Sequence, residues 1–161
     1  DWEPLIHPNV IGMNAQLWGE VIRSFSQVEW QIYPKIYGLA ERAWNNRSVL
    51  TLGDYNQLVY EVFLPQLAES NRNFHIQQPG ILANDLHVTM NKVMTKGQIL
   101  YRIDNSDWMT YEQPFTLSET AEIIQAKVKY LGKESNTTWL WMEDEHEVNT
   151  ENQEQNTSAT F

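Results

Sequence analysis

The sequence predicts an α/β portion followed by an all-β portion in one chain of 161 residues. Three observations carry that expectation. Residues 9–44, NVIGMNAQLWGEVIRSFSQVEWQIYPKIYGLAERAW, read as an apolar strand, a turn bearing Trp18 and Glu20, and an amphipathic helix. From Ile81 onward the apolar period changes from helical to two. Between the two regimes stands Pro79-Gly80, a turn or boundary signal. The expected limits are 1–79 for the α/β portion and 80–142 for a small antiparallel sandwich of immunoglobulin type, with 143–161 as a disordered acidic tail.

Residues 9–17 are largely apolar or small, which fits a strand buried on both faces. Ser26 is the expected helix N-cap, with Glu29 as its capping-box partner. Val28, Ile32, Ile36, Leu39, Ala40 and Ala43 then recur at helical spacing as one buried stripe. Pro34 interrupts it, and a kink or restart is expected there. A second helix is predicted over about 54–68, capped by Asp54, with Leu58, Val62 and Leu67 inward and Pro65 disturbing its last turn. LHVTM, QILYRID, IIQAKVKYL and TTWLWM each read as strands between polar connections.

Composition excludes several function classes. The formal net charge of -10 argues against nucleic acid, whose phosphates demand clustered Lys and Arg. No run of about eighteen apolar residues encodes a membrane span, and DWEPLIHP lacks the pattern of a signal peptide. Without cysteine there is no disulfide, thiol nucleophile or thiolate metal site, and the redox compartment stays undetermined. In the tail, Glu143, Asp144, Glu145, Glu147, Glu151 and Glu154 stand without Lys or Arg and supply -6 of the -10. So polar a segment cannot offset its chain entropy by burial; an acidic interaction tail is the alternative.

The blocks GMNAQLWGEVIRS and EWQIYPKIYGLAERAW resemble the last strand–helix unit of family-20 glycoside hydrolases, the β-N-acetylhexosaminidases and bacterial chitobiases. The family pattern there is Gly-x-Gln-x-x-Leu-Trp-Ser-Glu, then Tyr-Pro-Arg or Phe-Pro-Arg, then Ala-Leu-Ala-Glu-Arg-Ala-Trp. Gly12, Leu17, Trp18, Glu20, Tyr33, Pro34 and the run from Leu39 to Trp44 fall in register. Asn14, Gly19 and Lys35 depart from it, and Lys35 cannot reproduce an arginine fork. YRIDNSDWMTYEQPF and the Gly132-Lys133-x-Ser135 turn resemble the β-sandwich that follows the barrel in bacterial chitobiases. The resemblance implies the last unit of a (β/α)8 barrel followed by an immunoglobulin-like sandwich, from a periplasmic or secreted enzyme.

For the site, the resemblance implies that Trp18 packs on the apolar face of a terminal N-acetylhexosamine. Glu20 would accept hydrogen bonds from its hydroxyls. By pattern alone a strand-end Trp is more often core, and Glu20 a solvated charge. Chemistry in this family is retaining and substrate-assisted: the acetamido oxygen attacks the anomeric carbon, and an Asp-Glu pair after a His-x-Gly-Gly motif assists. That motif is absent, and the only Asp-Glu dipeptide, Asp144-Glu145, sits in the polar tail. No catalytic residue is assigned in this chain, which on its own is expected to be inactive.

His7, His75, His87 and His146 are scattered, so no metal site is expected, and no phosphate loop or nucleophile elbow calls for a cofactor. Trp139 and Trp141 alternate on one strand face and read as core; together with Trp108 they are alternatively a sugar platform. Three readings remain: the C-terminal portion of an exported β-N-acetylhexosaminidase acting on N-acetylglucosamine-containing oligosaccharides, a stand-alone carbohydrate-binding or interaction module, and a degenerate remnant. An incomplete barrel would expose edges and an apolar stripe, a hazard of self-association.

Overall fold

The computed structural model describes residues 9–45 and 50–142. The tail and the Asp144-Glu145 pair lie outside these. Residues 10–19 form no regular structure and are exposed, Ile11 fully. The expected strand is therefore not formed. A doubly buried strand needs hydrogen-bonding neighbours on both sides, and no described strand pairs with this segment.

Helix α1 spans Phe25–Ile32 and α2 spans Lys35–Trp44, restarting after Pro34 as expected. The N-cap of α1 is Ser24, not Ser26. Its Oγ accepts from the Gln27 N–H, and the Gln27 side chain accepts from the Ser24 N–H. Glu29 is unavailable for capping because its carboxylate turns inward, as described below. The predicted stripe is also displaced. Ile36, Ala40 and Ala43 are exposed, and Val28, Ile32 and Leu39 only half-buried. The core side lies one residue on: Tyr37 stacks on Phe63 at 4.3 Å, and Gly38 leaves room for the Tyr55 hydroxyl, which a Cβ would meet at 3.0 Å.

Helix α3 spans Leu52–Leu58, followed by a π-helical turn over Val59–Phe63 and α4 over Leu64–Glu69. Asp54 is not the cap but its partner three residues in. Thr51 Oγ1 accepts from the Asp54 N–H at 3.1 Å, and Asp54 Oδ2 accepts from the Thr51 N–H at 3.1 Å. The π turn answers Pro65, which has no N–H to give the preceding turn. Leu64 N–H reaches back to the Val59 carbonyl, and the Tyr60 carbonyl accepts from the Tyr130 hydroxyl at 2.7 Å. The extra residue rotates the helix, so Val59, Tyr60, Leu64 and Leu67 are buried while Val62 is exposed and Leu58 only half-buried. Tyr130→Phe should therefore cost about 1 kcal/mol, the value of one hydrogen bond, read as a lowered urea midpoint. An unchanged midpoint would leave the tie without energetic weight.

Two antiparallel sheets follow. The first orders β1 (Gly80–Asn84), β2 (His87–Asn91) and β5 (Phe115–Thr116). The second orders β4 (Met109–Thr110), β3 (Gln98–Ile103), β6 (Ile123–Tyr130) and β7 (Lys133–Glu134), with β8 (Thr138–Trp141) also on β6. All four strands expected from alternation form. The β6–β7 turn places Leu131 at φ 50° and Gly132 at φ 74°, the two left-handed positions a tight hairpin needs. Val88 and Met90 of the first sheet share one core with Ile99, Ile124, Ala126 and Val128 of the second. Leu64, Leu67, Phe74 and Ile76 join the same core from the helical side. The structure thus shows small antiparallel sheets and short helices.

Candidate functional site

Trp18 lies at the end of the irregular 10–19 segment, 72% exposed. Glu20, also exposed, begins a turn in which Ile22 N–H donates to the Gly19 carbonyl at 3.1 Å. Arg23 Nη1 donates to the Glu20 backbone carbonyl at 2.8 Å and holds the turn against α1. Trp18 and Glu20 stand two positions apart, one at the end of the irregular segment and the other in the turn, and both are exposed.

Behind this turn, α1 is anchored to residues 72–75. Glu29, buried within the helix, accepts from the Asn73 backbone N–H and from Arg72 Nη1, both at 3.0 Å. Asn73 Nδ2 donates to the Ser26 carbonyl at 3.0 Å, and Lys133 Nζ donates to Asn73 Oδ1 at 3.3 Å. His75 N–H donates to the Tyr33 carbonyl at 3.0 Å, and its ring meets Trp30 edge-on at 4.7 Å. The Asn73 N–H, more than the Arg72 guanidinium, holds the Glu29 carboxyl below its ordinary 4.5. A depressed carboxyl stabilises the fold above about pH 4.5, and the benefit is lost as pH falls through the folded-state value. Wild type should therefore lose Tm more steeply than Glu29→Gln on acidification below that pH. Parallel Tm profiles would contradict this.

Beyond α2, a cleft of about 250 Å³ is lined by Tyr37, Ala40, Trp44, Tyr55, Leu58 and Phe63. Its wall is mostly apolar, with Glu41 and Asn45 the polar side chains among the described lining residues beside the tyrosines. Among the described residues no group of three His, Asp or Glu could hold a metal. No described helix is long and apolar enough to cross a membrane.

Strand β8 departs from the sequence expectation. Trp139 and Trp141 are 57% and 63% exposed, so they are not core. Alternation puts them on one face of β8, but the inward face is that of Leu140, which packs on the core with Met142. Only the parity of β8 against β6 decides between the two faces, and a single strand's pattern does not contain it.

Known proteins similar to this chain are named as a chitobiase and a hexosaminidase. Residues 2–47 match glycosyl hydrolase family 20, catalytic domain. The chain is 23% identical, over 76% of its length, to N,N'-diacetylchitobiase of Vibrio harveyi. Over 35 residues it is 46% identical to Beta-hexosaminidase B of Pseudoalteromonas piscicida. It spans 16% of the first relative and 4% of the second. The chitobiase likeness covers more of the chain than the family match does.

Proposed function

We propose that the chain is the C-terminal portion of an exported family-20 β-N-acetylhexosaminidase, periplasmic or secreted. It would remove terminal non-reducing N-acetylhexosamine from chitooligosaccharides. In this reading residues 1–79 are the end of the (β/α)8 barrel and 80–142 an immunoglobulin-like sandwich. Trp18 packs on the sugar ring and excludes water from it. Glu20 accepts hydrogen bonds from its hydroxyls and fixes the ring's orientation. The substrate's acetamido oxygen is the nucleophile, and the Asp-Glu pair that assists it lies outside this chain.

One observation supports the reading most. The segment that matches family 20 leaves its large apolar side chains in solvent: Ile11, Leu17, Trp18, Val21, Phe25, Ile36 and Trp44. The β portion instead turns Val88, Met90, Ile99, Ile124, Ala126 and Val128 inward. A run of solvent-facing apolar side chains suits surface that neighbouring barrel units cover. The coding sequence upstream of Asp1 tests this. A His-x-Gly-Gly-Asp-Glu motif in frame would support the reading, and a start codon directly before Asp1 would overturn it.

A further inference from the structure

The geometry points to a second carbohydrate surface on the outer face of β8, formed by Trp139 and Trp141, that holds a neutral polysaccharide of β-linked pyranose rings. In β6, Ile124, Ala126 and Val128 point into the core, so Ile123, Gln125 and Lys127 lie on the opposite face, where Gln125 is itself buried. Trp139 stands opposite Gln125 and Trp141 opposite Ile123, so both indoles share that face. Their Cα atoms are about 7 Å apart by strand geometry, the scale of one sugar ring. Two indoles more than half exposed on one strand are costly surface unless something flat covers them.

The charges beside them are already engaged, and this selects the ligand. Lys127 Nζ bonds Glu134 at 2.7 Å and stands 4.2 Å from the centre of the Trp108 ring. The Arg102 guanidinium lies over the same ring at 5.0 Å, and its Nε donates to Gln125 Oε1. With these cations and the carboxylate satisfied within the sheet, the face presents the apolar planes of Trp139 and Trp141. That complements a neutral sugar polymer better than a polyanion.

The covering partner is not the surface that the helices expose. The helices meet the sheets at the other end of β6, through Tyr130 to Tyr60 and Lys133 to Asn73, while the connection at Gln78 and Pro79 bonds Thr137 and Thr138 at the start of β8. Trp141, opposite Ile123, lies seven residues along β6 from Tyr130, about 23 Å away. The choice of polymer rests on the family-20 reading: a face that grips chitin would hold chain ends near a pocket that trims N-acetylglucosamine.

The test is depletion of the purified 161-residue chain from solution by crystalline chitin in concentrated salt. Wild type should partition onto the solid. The Trp139→Ala, Trp141→Ala double variant should partition at least tenfold less with an unchanged urea midpoint, since both indoles are exposed. Leu82→Ala, comparably exposed but on the first sheet, should partition like wild type. The inference fails if wild type stays in solution or the double variant partitions equally. Loss confined to Trp18→Ala would overturn the surface while supporting the pocket reading. A dimer that the double variant dissociates, seen by sedimentation without chitin binding, would assign the face to a second copy and also overturn it.

Discussion

Phe74→Ala should lower the unfolding free energy by about 3–5 kcal/mol, measured by urea denaturation. Phe74 is 2% exposed and lies in the core shared by the helices and both sheets. Lys133 Nζ stands 5.3 Å over its ring, and Phe74 directly follows Asn73, which anchors α1. Truncation removes buried ring surface and leaves a cavity where three elements meet, so no single neighbour can collapse into it. For a domain whose whole stability is about 5–15 kcal/mol, this change approaches unfolding. Phe25→Ala is the control: its ring is 68% exposed, and the expected change is within about 0.5 kcal/mol. Equal effects of the two substitutions would contradict the core as described.

In the full-length product of the gene, Glu20→Gln should lower kcat/KM for an aryl N-acetylglucosaminide about tenfold to a hundredfold. Hydrogen bonds to a charged acceptor are worth about 1.5–3 kcal/mol, and an amide keeps one acceptor while losing the charge. Because Glu20 is exposed at a turn and Arg23 bonds its backbone carbonyl, the substitution should leave the fold intact. Trp18→Ala should act in the same direction by removing the ring's apolar platform. Wild-type kinetic constants in both variants would remove the pair from the site.

Much of the β portion was legible because alternation is a local signal: β2, β3, β6 and β8 form where Val88, Met90, Ile99, Ile124, Ala126, Val128 and Leu140 alternate with polar residues. What alternation withholds is parity, and Trp139 and Trp141 fell on the wrong side for that reason. The helical errors have separate causes. Glu29 is committed to Asn73 and Arg72, contacts distant in sequence, whereas Asp54 is the inner partner of the Thr51 capping box rather than the cap. The π turn depends on Pro65 and on Tyr130, a residue distant in sequence. Residues 10–19 carry a strand's composition, but burial needs neighbours that no described strand supplies. Trp18 and Glu20 were singled out through the resemblance alone, because an exposed irregular segment and a turn carry no pattern that marks a binding residue.

The most direct measurement compares turnover of an aryl N-acetyl-β-glucosaminide by the 161-residue chain and by the full-length product of the gene. The account predicts hydrolysis by the full-length product with retention at the anomeric carbon, and none by the chain above a buffer blank. Turnover by the chain alone at the rate of the full-length product, or none by either, would contradict it.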